Sequence, residues 1–199
     1  MKAAAVGFRV HSGWTSLVVV APEKGEPVLL ARQRPHLVET FTYAFRQPYH
    51  TAEGMRLDEA EVFLERQRSE ARLLAVKALQ AVERDAAQQG YKVTRAALLT
   101  ASGRPLPELA KILAAHSLIH AADGEFFRAA LLDACRARRL AVTVIKDREV
   151  LARGGARFKR SPAELAKLLA QLGKPVGPPW SQDEKLAALA AWLALQSRA

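Results

Sequence analysis

Turn residues interrupt the first forty positions twice, and that spacing restricts the fold more than any other feature. His11-Ser12-Gly13 separates one apolar run from the next, and Ala21-Pro22-Glu23-Lys24-Gly25-Glu26-Pro27 separates the second from a third. The runs themselves are residues 2–10, then Thr15-Ser16-Leu17-Val18-Val19-Val20, then Val28-Leu29-Leu30-Ala31-Arg32 with a continuation towards Val38. β-Branched side chains suit a pleated, half-buried surface, and short turns join neighbouring strands, so the pattern predicts a three-stranded antiparallel meander. Phe41, Tyr43 and Phe45 alternate with Thr42, Ala44 and Arg46. That alternation predicts a further extended stretch along the sheet or over its edge, ended by Pro48.

The chemistry changes after residue 57, where Ala and Leu dominate and helix becomes the favoured state. Asp58 with Glu61 reads as a helix start, Leu64, Ala71, Leu74, Ala78 and Val82 as its apolar stripe, and Gly90 as its C-terminal stop. Residues 93–100 read as a strand left through Ala101-Ser102-Gly103. Pro105 and Pro107 open a helix that carries Leu109, Ile112, Leu113 and His116. Asp123 is expected to cap a second helix, with Glu125 in its first turn and Phe126, Phe127, Ala130, Leu131 and Ala134 on its buried face. Residues 140–145 form an apolar run without alternation, as in a strand buried on both faces. Ser161-Pro162-Ala163-Glu164 and Ser181-Gln182-Asp183-Glu184 are two capping boxes. Residues 174–180, with three prolines, read as a stiff linker. The last helix, 186–195, is apolar on nearly every side and must bury against the sheet or a partner chain. There is no internal repeat, so the expectation is one domain over 1–199, with 174–199 as linker and packed helix.

The chain of 199 residues is half hydrophobic, which fits a globular core. It contains no Asn and one cysteine, Cys135, placed on an apolar helix face. One cysteine, no secretory-type start and no apolar run of membrane-spanning length point to a cytoplasmic setting without a membrane span. Thirty basic residues oppose twenty acidic ones, for a net charge of +10. Residues 136–160 hold nine bases against only Asp147 and Glu149. Such concentration suits nucleic acid or another polyanion. The alternative is a solvated basic surface, and for Arg136, Arg138 and Arg139 simple complementation of a helix end.

The order of elements is β-β-β-α-β-α-β-α, a meander followed by β-α-β crossovers. An α/β fold with a mixed five-stranded sheet and helices on both faces follows from that order. It resembles the ribonuclease-H-like superfamily, in outline the bacterial Holliday-junction resolvases. The resemblance rests on Val6-Gly7-Phe8-Arg9 leading into His11-Ser12-Gly13-Trp14-Thr15-Ser16, on Leu151-Ala152-Arg153-Gly154-Gly155-Ala156-Arg157 before a capped helix, and on an Asp-led, Ala-rich last helix from Asp183 to Leu195. It implies two divalent metals held by carboxylates of the first strand, the fourth strand and the last helix. Here Phe8 and Arg9 stand in the first strand, Leu99-Thr100-Ala101-Ser102 ends the fourth, and Asp183 or Glu184 alone matches. The usual nuclease chemistry is therefore not expected. Relatives of this fold also serve as non-catalytic modules, including in release-factor-like proteins, so topology alone assigns no role.

Two stretches remain as sites. His116 and His120, four apart on a helix, share a face, and Asp123 or Glu125 would supply a third ligand for a divalent metal; otherwise the stretch is a helix junction. No other cofactor is expected. Arg153-Gly154-Gly155-Ala156-Arg157 either cradles a phosphate or is a flexible connection before a capped helix. Trp14, Tyr43, Tyr49 and Trp180 are candidates for base stacking. Three readings follow. The first is a non-catalytic protein binding a polyanion through Lys146, Arg148, Arg153, Arg157, Lys159 and Arg160. The second is a metal-dependent hydrolase or nuclease with a relocated set, His116, His120, Asp123, Glu125 and Asp183. The third is an assembly protein dimerising through its last helix.

Overall fold

A computed structural model of the chain describes residues 1–101 and 105–196. Strands β1 (Lys2–His11), β2 (Trp14–Glu23) and β3 (Glu26–Gln33) form the antiparallel meander. β4 (Tyr91–Thr100) adds parallel to β1, and β5 (Ala141–Lys146) adds parallel to β4, giving the order β3-β2-β1-β4-β5. Each parallel step is bridged by helices, as a crossover requires. They are α1 (Tyr43–Arg46), α2 (Pro48–Ala52) and α3 (Leu57–Gln88) before β4, then α4 (Leu109–Leu113) and α5 (His116–Ala137) before β5. A 3₁₀ turn, Asp147–Glu149, leads into α6 (Val150–Phe158), α7 (Pro162–Leu172) and α8 (Gln182–Leu195).

Alternation along the strands divides the core in two. Ala4, Val6, Phe8, Leu17, Val19, Ala96 and Leu98 face α3 and α5. Ala5, Val18, Val20, Ala97 and Leu99 face α6, α7 and α8 on the other side of the sheet. α8 lies directly on the central strands, and small residues make that approach possible. A Cβ built on Gly7 would fall inside the Ala187 carbonyl, 2.8 Å from its carbon. Because the sheet takes one side of α8 and α6 and α7 take others, Ala187, Ala188, Leu189, Ala190, Ala191, Trp192 and Ala194 are all buried within the chain. The ring of Trp192 stacks on Phe158 of α6 at 3.4 Å. The apolar surface that suggested dimerisation through the last helix is thus already covered.

Several expectations are corrected. Residues 41–49 are not extended: Pro48, which was to end a strand, opens α2 at a first position where its missing N–H costs nothing. Packing decides the outcome, because Tyr49 and Ala52 are buried and the Tyr49 ring meets Phe126 edge-on. α3 starts one residue before Asp58, and the Glu59 carboxylate, not Glu61, accepts from the Arg56 N–H at 3.4 Å. Its buried stripe is Leu64, Ala71, Ala75, Leu79 and Val82, while Leu74 and Ala78 flank it. β5 is an edge strand with Val144 half exposed and Ile145 buried, so its unbroken apolar run does not reflect cover on both faces.

The greatest correction concerns residues 106–137. The first helix is only α4, and His116 begins the next one instead of ending the previous one. Asp123 is not a cap but a buried residue in the interior of α5. Arg153-Gly154-Gly155-Ala156-Arg157 is neither loop nor cradle: it lies within α6, and Gly154 makes room for Leu189 of α8. Residues 174–180 are tied down as well. Trp180 packs on Gly173 and donates from Nε1 to the Leu169 carbonyl at 2.7 Å. Both serine capping boxes form as expected, with the Ser161 and Ser181 N–H groups donating to Glu164 and Glu184 at 2.8 Å. Ser102, named as the end of the fourth strand, lies outside the described residues. Among the described residues no helix is long and apolar enough to cross a membrane.

Candidate functional site

The carboxyl-terminal ends of β1, β4 and β5 lie together, as they do in any parallel set, and the polar residues there converge. Gly7, Arg9 and His11 alternate onto the α8 face of β1. Asp147 follows β5 directly, and Asp183 lies in the first turn of α8. Arg9 donates from Nη1 to Asp183 Oδ1. Its Nε and Nη2 lie 3.4 and 3.3 Å from Asp147 Oδ2. His11 Nε2 stands 3.0 Å from the second Asp183 oxygen. The Arg9 side chain is mostly buried. Burial pulls its pKa down, but the hydrogen bonds to Asp183 and Asp147 outweigh that, and the net direction is up. One guanidinium of β1 therefore joins two carboxylates that lie 138 and 174 positions further along the sequence.

The rim is basic and aromatic. The His11 ring stacks on Trp14 at 4.2 Å with planes 8° apart, and the Arg34 guanidinium lies 5.2 Å from the Trp14 ring centre. Arg34 also pairs with Glu184 at 2.7 Å. Burial opposes charge on Glu184, but the Ser181 hydroxyl and Arg34 prevail, holding its carboxyl below the ordinary 4.5. The stability this adds is present above the unfolded-state value and lost as pH falls through the lower folded value. Thermal unfolding midpoints should accordingly fall on acidification below about pH 4.5, in line with carboxylate linkage. Glu184→Gln should be less stable at pH 7 and show a shallower acid decline; identical pH profiles for the two proteins would contradict the assignment.

The other named residues separate into distinct places. His116, His120 and Asp123 gather beside α2, on the α3 and α5 side of the sheet, where they meet His50. Asp183 belongs to the opposite side, so the five residues of a relocated catalytic set do not form one constellation. Glu125 pairs with Arg128 at 3.0 Å. Nor does Asp123 serve as a third ligand beside His116 and His120: it accepts from His50 Nδ1 at 2.5 Å and from the Tyr49 N–H at 2.8 Å. Burial pushes the Asp123 carboxyl up, and those hydrogen bonds offset only part of the shift. Burial also pushes the Cys135 thiol up to about 12, so it stays protonated and unreactive at neutral pH.

The six basic residues divide too. Arg148, Arg153, Arg157 and Lys159 are exposed. Arg153 and Arg157, one turn apart on α6, line a shallow cleft with Thr143 and Ile145 of β5. Lys146 and Arg153 share Glu149, at 3.6 and 3.1 Å. Arg160 turns away to Glu26. Of the aromatic candidates, Tyr43 is exposed and Trp14 half-buried, whereas Tyr49 is buried and Trp180 is packed on Gly173.

No family model and no curated protein matches the sequence. Solved structures match it along nearly its whole length. A RuvC structure from Thermus thermophilus aligns with a TM-score of 0.51 at 13% identity, covering 94% of this chain and 90% of that one. T. thermophilus RuvC in complex with a Holliday junction substrate gives 0.53 at 14%, covering 95% and 90%. The yeast mitochondrial Holliday junction resolvase Ydc2 gives 0.50 at 11%, covering 96% and 75%. The fold is ribonuclease-H-like.

Within a ribonuclease-H-like sheet the resemblance implies a pair of divalent ions between the first strand, the fourth strand and the last helix. The residues present do not fit that pair. Hard cations need several free oxygen ligands. One Asp183 oxygen is taken by Arg9 and the other faces His11 Nε2, and one Asp147 oxygen faces Arg9. Only Asp147 Oδ1 is buried without a hydrogen-bond partner among the described carboxylates here. The sequence showed Arg9 and Asp183 separately but not their contact. It did not point to His11, Asp147 or His50 as site residues, because His11 read as a turn, Asp147 as one acid among bases, and His50 fell beyond a stretch read as extended.

Proposed function

We propose that this chain is a ribonuclease-H-like nucleic-acid-binding protein that does not cut what it binds. The observation that carries the reading is Arg9, which stands on the first strand where the fold's chemistry calls for a carboxylate and pairs with Asp183 of the last helix and with Asp147 after β5. A fixed cation satisfies the acids without supplying the exchangeable coordination sites, or the metal-bound water, on which phosphodiester hydrolysis depends. Binding draws support from two further features: the fold is shared with a protein solved on a Holliday junction, and the basic excess leaves Arg148, Arg153, Arg157 and Lys159 exposed. Their surface ion pairs, such as Arg153 with Glu149, are weak enough to exchange for phosphate.

The test uses labelled four-way junction, duplex and single-stranded DNA and RNA. Fluorescence anisotropy should show salt-sensitive binding to at least one of them. The same mixtures with Mg²⁺ or Mn²⁺ should give no cleavage products. Cutting above the level of an Asp147→Asn, Asp183→Asn double variant would overturn the non-catalytic reading, and absence of binding at low salt would overturn the other half.

A further inference from the structure

We propose that His50, His116 and His120 form a binding site for a divalent transition-metal ion of the zinc class, on the side of the sheet away from Arg9. One ligand atom from each imidazole lies within 4.8 Å of the others. His116 and His120 are the first and fifth residues of α5, one turn apart, and their Nε2 atoms stand 3.1 Å from each other. Two imidazole nitrogens on one tetrahedral zinc ion, each about 2.0–2.1 Å from it, stand about 3.4 Å apart. The pair is already close to that separation, and His50 closes the triangle from α2, its ring 4.5 Å from His120 and 5.2 Å from His116 between centres.

Asp123 supports the site independently of that spacing. Asp123 is buried in α5, and both its oxygens are spent on α2: one accepts from the Tyr49 N–H, the other from His50 Nδ1. A carboxylate on Nδ1 fixes the ring's orientation and leaves Nε2 as the ring nitrogen available to an ion. This is the arrangement that supports metal-bound imidazoles, where the outer carboxylate sets tautomer and basicity. Asp123 is thus a positioning residue and not a ligand.

The chemistry of the donors selects the ion. Three neutral imidazoles with no thiolate and no free carboxylate suit Zn²⁺, Co²⁺, Ni²⁺ or Cu²⁺ and discriminate against Mg²⁺ and Ca²⁺, which need oxygen. His116 and His120 are exposed, so the fourth position faces solvent and takes water or a small ligand. An ion there would clamp α2 to the start of α5.

The untagged full-length protein, stripped with a chelator, should bind one equivalent of Zn²⁺ in competition with a chromogenic indicator, with a Kd of about 1 µM or tighter. His120→Ala changes only an exposed side chain, so its circular dichroism should be unchanged while binding falls at least about tenfold, as expected when one of three ligands is lost. Asp123→Asn should weaken binding by roughly 10–100-fold, the usual cost of losing an orienting partner. Co²⁺ should give the visible absorption of tetrahedral coordination in the wild type and lose it in His116→Ala. A folded wild type that binds no Zn²⁺, or a folded His120→Ala that binds it with unchanged affinity, overturns the site.

Discussion

Replacing Gly7 with alanine is expected to cost the chain about 3 kcal/mol or more of stability, the upper range for forcing an atom into a packed core. The strand and α8 meet backbone to backbone at this point. The new Cβ would collide with the Ala187 carbonyl, which cannot move without shifting the helix, and with the Ala191 methyl at 3.1 Å. α8 fills the core on its side of the sheet, so displacing it exposes Leu186, Leu189 and Trp192 together. Gly154→Ala is the internal comparison. Its Cβ would meet the ends of the buried Leu189 and Leu165 side chains at 2.9–3.2 Å and no backbone atom, a milder clash than at Gly7. Alanine also favours the helix around it by roughly 0.8–1 kcal/mol. Urea denaturation followed by circular dichroism should show a markedly larger loss for Gly7→Ala than for Gly154→Ala. Equal stabilities for wild type and Gly7→Ala would refute the packing described for α8.

Reversing the charge of Arg148, Arg153, Arg157 and Lys159 together should weaken nucleic-acid binding by roughly 100-fold or more at moderate salt. If these four side chains neutralise about four phosphates, the affinity falls with salt with a log–log slope of about −3.6. A fourfold rise in salt then costs roughly two orders of magnitude in affinity. The quadruple variant should lose both the affinity and most of that slope. All four side chains are exposed, so thermal stability should remain near that of the wild type. A companion variant at Arg138, which is engaged by Glu83 on α3, should bind normally. Undiminished binding by the quadruple variant would place the interface elsewhere on the protein.

The stacked His11 and Trp14 rings, with Arg34 over the indole, offer a flat aromatic and cationic platform beside the Arg9 cluster. Under the proposed nucleic-acid-binding reading, that group would be a place for an unpaired base to stack.

Sequence periodicity was informative wherever the forces are local. Turn residues at 11–13 and 21–27 delimit the meander, and the serines at 161 and 181 with glutamates three residues on give two helix starts that form as expected, because a capping box involves only four consecutive positions. Where local signals were in balance, packing decided. The alternation from Phe41 to Arg46 is consistent with a strand, yet burying Tyr49 and Ala52 against α5 makes helices of this segment. Asp123 has the side chain of a helix cap, but α5 begins seven residues earlier and carries it into the core to hold His50.

By itself, then, the sequence determined the order of strands and crossovers, the capped helix starts and the basic excess, since each is a property of neighbouring residues or of composition. Tertiary structure alone decided the sites. Arg9 meets Asp147 across 138 positions and Asp183 across 174, and His50 meets Asp123 across 73. No periodicity links residues so far apart: their meeting depends on which strand lies beside which and on how closely α8 and α2 pack.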